Sequence, residues 1–319
     1  MKTMKKKILL TGGCGFIGSN IYNKLSSEYD ITVVDNLSAG VREFIPVNSD
    51  VRVADFSDTS VVQDVENSKY ALICHQAAVP RVEYSVQHPY ESHEENVNKS
   101  LILFHAAAKS KTPVVFASSS AVYGDALQIP TQEDCHKLQN SPYGLHKYVC
   151  EQYLELYSRL YGLYSISLRY FNVYGPNQLG NSAYSTAISS WLHRVKRDQS
   201  CRMDGTGEQR RDMVFVEDVV QANAIAIKRL LTARSHAWSP IAENYNVGTG
   251  TDVSNNEIMT ELCALRSNVK MHVAPKRPGD VERTCASIDK IKLIGYKPTV
   301  ALKDGLKLTY DWAMKSELF

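Results

Sequence analysis

The stretch "KILLTGGCGFIG" at residues 7–18 limits what this chain can fold into more than any other. A short apolar run enters a turn carrying glycines at 12, 15 and 18, and a helical pattern follows. In such a strand–turn–helix unit, Gly12 lets the chain turn and Gly15 lets the backbone approach a pyrophosphate. Gly18 lets the helix pack closely on the strand, and the amides of the helix N-terminus receive the phosphates. A second run, "ITVVD", ends at Asp35, roughly 20 residues beyond the loop, where a carboxylate bonds ribose hydroxyls or else caps the turn in "VDNLSAG". A carboxylate there repels a 2′-phosphate, and no arginine adjoins it, which favours NAD over NADP. Asp55 ends the next run, "VRVAD", either as a partner for the adenine amino group or as a plain turn aspartate.

Strand-like and helical stretches alternate from here to about residue 175. "YALICHQAA", "PVVFASSS" and "YSISLRYFNVYG" read as strands, and Asn96–Lys109 and Tyr143–Tyr161 as helices. This alternation predicts an α/β chain built on a Rossmann, doubly wound parallel sheet. Further on the pattern loosens. "DGTGEQRRD" reads as a loop, and a helix near Thr186–Arg197, the strand "VKMHVAP" and a last helix "LKDGLKLTYDWAMK" suit a smaller C-terminal α/β cap. The expected division is 1–175 with a return segment at about 212–248 for the nucleotide-binding part, and 176–211 with 249–319 for the cap. A net charge of +2 gives no case for a nucleic-acid partner. "ILLTGG" behind the basic "MKTMKKK" is too short for a signal or a membrane span. The seven cysteines show neither CxxC nor zinc spacing, so no metal site is expected, and reduced thiols in a cytoplasmic protein are the simplest account.

Two further stretches carry chemistry. "FASSSAVYG" ends a strand with Ser118–Ser120, on the sheet edge where open parallel sheets bind ligands. "NSPYGLHKYVCEQY" then places Tyr143 and Lys147 one helical turn apart, on one face. Alone, that spacing is ordinary. Downstream of a dinucleotide loop and a serine-rich strand end, it describes a phenol beside a fixed positive charge. Ionising a free tyrosine at pH 7 costs roughly 4 kcal/mol, and a lysine with a cationic nicotinamide ring can supply much of that.

The ordered set of glycine loop, Asp35, "SSS" and "YGLHK" resembles the extended short-chain dehydrogenase/reductases. "HQAA", "LRYFNVYGPNQ", "GEQRRDMVFVEDV" and "RPGDVERTCASIDKIKLIGYKP" narrow the likeness to the NAD-dependent epimerase/dehydratases, nearest to the UDP-N-acetylglucosamine/UDP-glucose 4-epimerases. The resemblance implies bound NAD, a UDP-hexose or UDP-N-acetylhexosamine substrate, and a transient 4-keto sugar. It makes Tyr143 the catalytic base, Lys147 its partner, and Ser119 the hydroxyl that bonds the sugar's 4-oxygen. To the cofactor it assigns Gly12, Gly15, Phe16, Ile17, Gly18, Asp35, Asn36, Ser38, Gly40, Asp55, Phe56, Gln76, Ala77, Ala78, Tyr143, Lys147 and Tyr170. To the substrate it assigns Arg81, Ser119, Ser120, Tyr143, Asn172, Ala183, Tyr184, Arg211, Arg277, Asp280 and Thr284. Arg211 and Arg277 look like diphosphate clamps, with pairing to Asp212 and Asp280 as the plain alternative. Thr284 stands at a gate position where a small residue admits an N-acetyl group. The sequence departs from the family at Glu95, where Asn or Thr is frequent, and at Ser190, where Lys is frequent. A 4,6-dehydratase or a uronate decarboxylase fits less well, because Ser120 and Ala121 follow Ser119 where those enzymes carry acidic residues. A non-catalytic regulator on this fold would lack the Tyr/Lys pair. The family's homodimers suit the aromatic helix "YVCEQYLELYSRLYGL", although packing within the chain explains it equally.

Overall fold

A computed structural model describes residues 5–180, 186–236, 239–275 and 281–319. The chain divides into two compact units. The first comprises Met1–Gly124, Lys137–Arg169 and Val220–Tyr245; the second comprises Asp125–His136, Tyr170–Val219 and Asn246–Phe319.

The strands β1 (Lys7–Thr11), β2 (Asp30–Asp35), β3 (Val51–Val53), β4 (Leu72–His75), β5 (Val114–Ser119) and β6 (Ser165–Tyr170) join the strand Ala242–Val247 in one parallel, seven-stranded sheet. The order from the edge is Ala242–Val247, β6, β5, β4, β1, β2, β3. β1 thus has β2 on one side and β4 on the other, and the strand order reverses between β1 and β4. Ligands of open sheets bind at the carboxyl edge beside such a reversal. The register brings the ends together: Thr11 lies opposite both Val34 and His75, and His75 lies opposite Phe116. The glycine loop, Asp35, Gln76 and Ser119 therefore leave the sheet along one edge. Ile8, Leu9, Leu10, Val33, Ile73, Val114 and Val115 are all buried, because helices cover both faces.

The helices of this unit include α1 (Phe16–Leu25), α2 (Thr59–Glu66), α3 (Val82–Gln87), α4 (Pro89–His93), α5 (Lys99–Ser110) and α6 (Pro142–Tyr161). α2, α5 and α6 bury Val61, Val65, Leu103, Phe104, Cys150 and Leu154 against Leu9, Ile73 and Phe116 of the sheet. Each such side chain stabilises the fold by about 1.5–3 kcal/mol. α6 starts where the sequence reads: the Ser141 hydroxyl accepts from the Gly144 N–H at 3.2 Å, Pro142 takes the first turn, and Gly162 at φ 71° ends the helix. The expected helix around Asn96–Lys109 is α5, Lys99–Ser110, entered through a π turn over Glu94–Asn98. Among the described residues no helix is long and apolar enough to cross a membrane.

The second unit holds short pairs of strands: Asn172–Tyr174 with Met213–Phe215, Arg210–Arg211 with Val253–Ser254, and Met271–Ala274 with Cys201–Asp204. Two sequence expectations are corrected here. "YSISLRYFNVYG" is two strands in different sheets, broken at the buried Phe171. "DGTGEQRRD" is not all loop, since Arg210–Arg211 pairs as a strand. Asp212 organises this region. Its buried carboxylate accepts from the Thr249 N–H and hydroxyl, the Gly250 N–H and the Ala286 N–H at 2.7–3.1 Å. It is thereby committed to the backbone.

Candidate active site

The residues after β1 and β2 make a receptacle for a dinucleotide. α1 follows its N-cap Gly15 with no side-chain cap and no acidic residue in its first turn, so no side chain of its own first turn receives its leading N–H groups. A methyl group on Gly18 would stand 2.1 Å from the Gly12 carbonyl oxygen, so only glycine lets the helix come this close to the loop. Asp35, 8% exposed, accepts from the Cys14 N–H at 2.9 Å through one oxygen and from the Leu37 N–H at 2.8 Å through the other. Burial raises its pKa and the two amides lower it. Each oxygen keeps a lone pair for a hydroxyl donor. Uncapped helix amides for the phosphates and a fixed carboxylate for the ribose diol fit NAD. Phe16 and Ile17 line the first turn half-buried. The Asn36 side chain accepts from the Ser38 N–H, and Gly40 sits against the Asp35 carboxylate.

Asp55 is more heavily engaged than the sequence suggests. It accepts the Ser57 N–H and hydroxyl and the Lys99 ammonium, which also bonds Glu95 at 2.6 Å. Burial raises the Asp55 carboxyl, but the Lys99 and Ser57 bonds outweigh that and hold it below the usual range. Glu95 thus has a structural partner. Phe56 is buried, edge-on to the His75 ring at 4.8 Å.

The loop from His75 to Arg81 is held by a buried polar chain that the sequence did not reveal. Ala77 N–H donates to the Thr11 hydroxyl at 3.3 Å, and that hydroxyl lies 2.7 Å from His75 Nδ1. At the far end the Ser100 hydroxyl donates to the Asn96 carbonyl at 2.8 Å and lies 3.1 Å from His75 Nε2. Each hydroxyl has one hydrogen, so Thr11 donates to Nδ1 and Nε2–H donates to Ser100. His75 is a neutral Nε2–H tautomer, pushed down to about 3 by burial and by the Lys147 charge. Asn96 also clamps Val79 in both directions, at 2.8 and 3.0 Å. Gln76 turns its amide to Cys74 and Asn223. Ala78 is half-buried, and Arg81 leads into α3, also half-buried.

Ser119, Tyr143 and Lys147 come together at the ends of β5 and α6. Their backbones meet because residue 144 is glycine, whose added methyl would fall 2.4 Å from the Ala121 carbonyl oxygen. The Tyr143 N–H donates to the Ser85 hydroxyl at 3.1 Å, which ties α6 to α3. Lys147 donates to the Ala117 carbonyl at 2.7 Å, and its ammonium lies 5.9 Å from the centre of the Tyr143 ring. The Ser119 oxygen accepts from the Ala121 N–H at 3.1 Å, leaving its own hydrogen for the phenol oxygen. Burial pushes Tyr143 up to about 12 against the Ser119 bond, and pushes Lys147 down to about 8. Ionising Tyr143 at pH 7 in the protein alone then costs about 7 kcal/mol. Ser120 opens the turn Ser120–Tyr123, while Ser118 turns to the opposite side, toward Glu151.

In the second unit Asn172, Arg211 and Thr284 form their own cluster. Asn172 donates to the Thr284 hydroxyl at 3.2 Å. Thr284 N–H donates to the Arg210 carbonyl and Asp212 N–H to the Thr284 carbonyl, so the segment at 283–284 runs beside 210–212. The Arg211 guanidinium donates to the Arg210 and Glu282 carbonyls. Tyr170 is buried at the end of β6. Ser190 lies half-buried in the helix Ala187–Lys196. Ala183, Tyr184, Arg277 and Asp280 lie outside the described residues.

A glycine-loop sheet carrying a Ser/Tyr/Lys cluster on its carboxyl edge defines a dinucleotide-dependent enzyme class. The model of the NAD dependent epimerase/dehydratase family matches residues 8–248, and the chain belongs to that family. It is 37% identical over 316 residues to a putative UDP-glucose 4-epimerase of Methanocaldococcus jannaschii, covering 96% of this chain and 97% of that one. Among solved structures it is similar to a UDP-N-acetylglucosamine 4-epimerase of Methanobrevibacter ruminantium in complex with UDP-N-acetylmuramic acid. The TM-score is 0.88 at 32% identity, covering 97% of this chain and 98% of the other. A Thermus thermophilus UDP-glucose 4-epimerase in complex with NAD aligns with a TM-score of 0.84 at 30% identity, covering 97% and 99%.

Proposed function

We propose that this protein is a UDP-sugar 4-epimerase that interconverts UDP-GlcNAc with UDP-GalNAc and also accepts UDP-Glc and UDP-Gal. The observation that carries this reading is the Ser119–Tyr143–Lys147 cluster on the same sheet edge as the glycine loop, in a chain of this family. NAD, when bound at the glycine loop and Asp35, would supply the hydride acceptor and donor for the sugar C4 carbon. Tyr143, as phenolate, takes the proton of the 4-hydroxyl and later gives it back, which serves both faces with one residue. Ser119 donates to the reacting oxygen. Lys147, charged at neutral pH with a pKa of about 8, holds a positive potential next to the phenol ring. That charge and the positive charge of the cofactor offset the cost of ionising a buried tyrosine. Arg211 and Arg277 are the diphosphate-binding residues of this proposal, since guanidinium groups suit phosphate oxygens, and the sugar stays free to turn about its link.

Thr284 supports the acetylated substrates: it is small, and its hydroxyl is held by Asn172. Homodimerisation through α5 and α6 is supported by the exposed Ile102, Leu145, Leu156, Leu160 and Tyr161 on those helices. General-base action contributes on the order of 10²–10⁴ in rate, so Tyr143→Phe should lose about that much turnover while still binding NAD. NMR of each UDP-sugar incubated with wild type and variant reads the result. A variant with near-normal epimerisation removes Tyr143 from the chemistry, and a 4-keto-6-deoxy product from wild type makes the protein a dehydratase.

A further inference from the structure

Behind the site lies an ion pair that the proposed chemistry does not use. Glu151, one turn beyond Lys147 on α6, is 0% exposed, and Arg169, near the end of β6, is 2% exposed. The guanidinium grips the carboxylate with two bonds, from Nε at 2.9 Å and Nη2 at 2.7 Å. Its third arm donates to the Tyr123 hydroxyl at 2.8 Å, and its carbon lies 5.1 Å from the centre of that ring. The Ser118 hydroxyl donates to the same carboxylate at 2.5 Å. All four groups are buried.

Burying two charges costs several kilocalories of desolvation, and apolar residues of similar volume often serve stability as well or better. The arrangement is therefore a poor device for stability and a good one for geometry. Its four members sit on β5, the turn after β5, β6 and α6. Ser118 adjoins Ser119, and Glu151 lies on the same helix as Tyr143 and Lys147. A carboxylate with fixed partners on both strand ends sets the rotation and axial position of α6 against β5.

We infer that Glu151 and Arg169 are positioning residues, whose buried pair locks the helix bearing Tyr143 and Lys147 to the strand end bearing Ser119. This rests on the assignment of Tyr143 as the base. The test is the double variant Glu151→Leu/Arg169→Met, followed by unfolding midpoint, NAD content, kcat and KM. The expected protein is folded, with a midpoint at or above wild type and NAD retained. Its KM stays within about threefold, while kcat falls roughly ten- to a hundredfold, the effect of an ångström-scale misplacement. A folded double variant with wild-type kcat overturns the inference. Should the double variant not fold, Glu151→Gln, which keeps size but sets an amide N–H against the donors of Arg169 or Ser118, decides by the same comparison of kcat with KM, and a folded Glu151→Gln with wild-type kcat overturns the inference. Tyr143→Phe assayed in parallel separates the two claims. An active Tyr143→Phe overturns the base, whereas an inactive one beside a fully active pair variant overturns only the pair.

Discussion

Acid should destabilise this protein through one buried histidine, and the structure sets the size of the effect. His75 is fully buried and neutral between Thr11 and Ser100, and its pKa is pushed down to about 3 from 6.5. Between those values the unfolded chain binds a proton that the folded chain refuses. Stability contributed by the neutral ring is therefore complete above pH 6.5 and is lost as the pH falls toward 3. Each unit is worth 1.36 kcal/mol, so the full window is worth about 5 kcal/mol, and the drop from pH 6.5 to 5 about 2 kcal/mol. Other groups titrate over the same range. His146, lowered to about 4 by burial and by the nearby His93 and Lys147 charges, adds a smaller term of the same sign. Asp35 and Asp212, raised by burial, act in the opposite sense. Subtracting a His75→Gln variant removes these shared terms. Glutamine accepts from Thr11 and donates to Ser100 without titrating. Urea unfolding of both proteins across this range should give stability curves that converge by about 2 kcal/mol between pH 6.5 and 5. Parallel curves, or a His75 ring that titrates near 6.5 by NMR, refute the reasoning.

Two further outcomes are expected. On the proposed gate role, Thr284→Tyr adds bulk there and removes the hydroxyl that accepts from Asn172, so turnover of acetylated relative to plain UDP-sugars should fall by about tenfold or more; an unchanged ratio in parallel assays removes Thr284 from substrate selection. Leu160→Lys places a charge among the exposed apolar side chains of α6, where Leu160 is 61% exposed, so the mass by light scattering should move from dimer toward monomer with NAD retained. A wild type that is already monomeric ends the dimer proposal.

Much of the site was legible because its parts are local. The glycine turn, Asp35 at the end of the next strand, and Tyr143 one turn from Lys147 each depend on spacing along a single element, which sequence records directly. The start of α6 was readable for the same reason, since Ser141 and Pro142 are local capping signals. The helices α3 and α4 carry no clean apolar period, and Pro89 splits them, so nothing marked them in advance. The Arg210–Arg211 strand is two residues long, and its partner lies some forty positions on.

What holds the site in place came only with the tertiary structure. Asn96 bonds Val79, Ser85 caps the Tyr143 amide 58 residues away, and Thr11 reaches His75 across 64 positions. These are bonds between segments far apart in sequence, and they leave no periodic trace. The Glu151–Arg169 pair is of the same kind: either residue read alone looks like a surface charge. The protonation states follow suit. Sequence determined that a phenol and an ammonium share a helix face. Burial decided that the phenol rises to about 12 and the ammonium falls to about 8, because the desolvation of each group depends on everything packed around it.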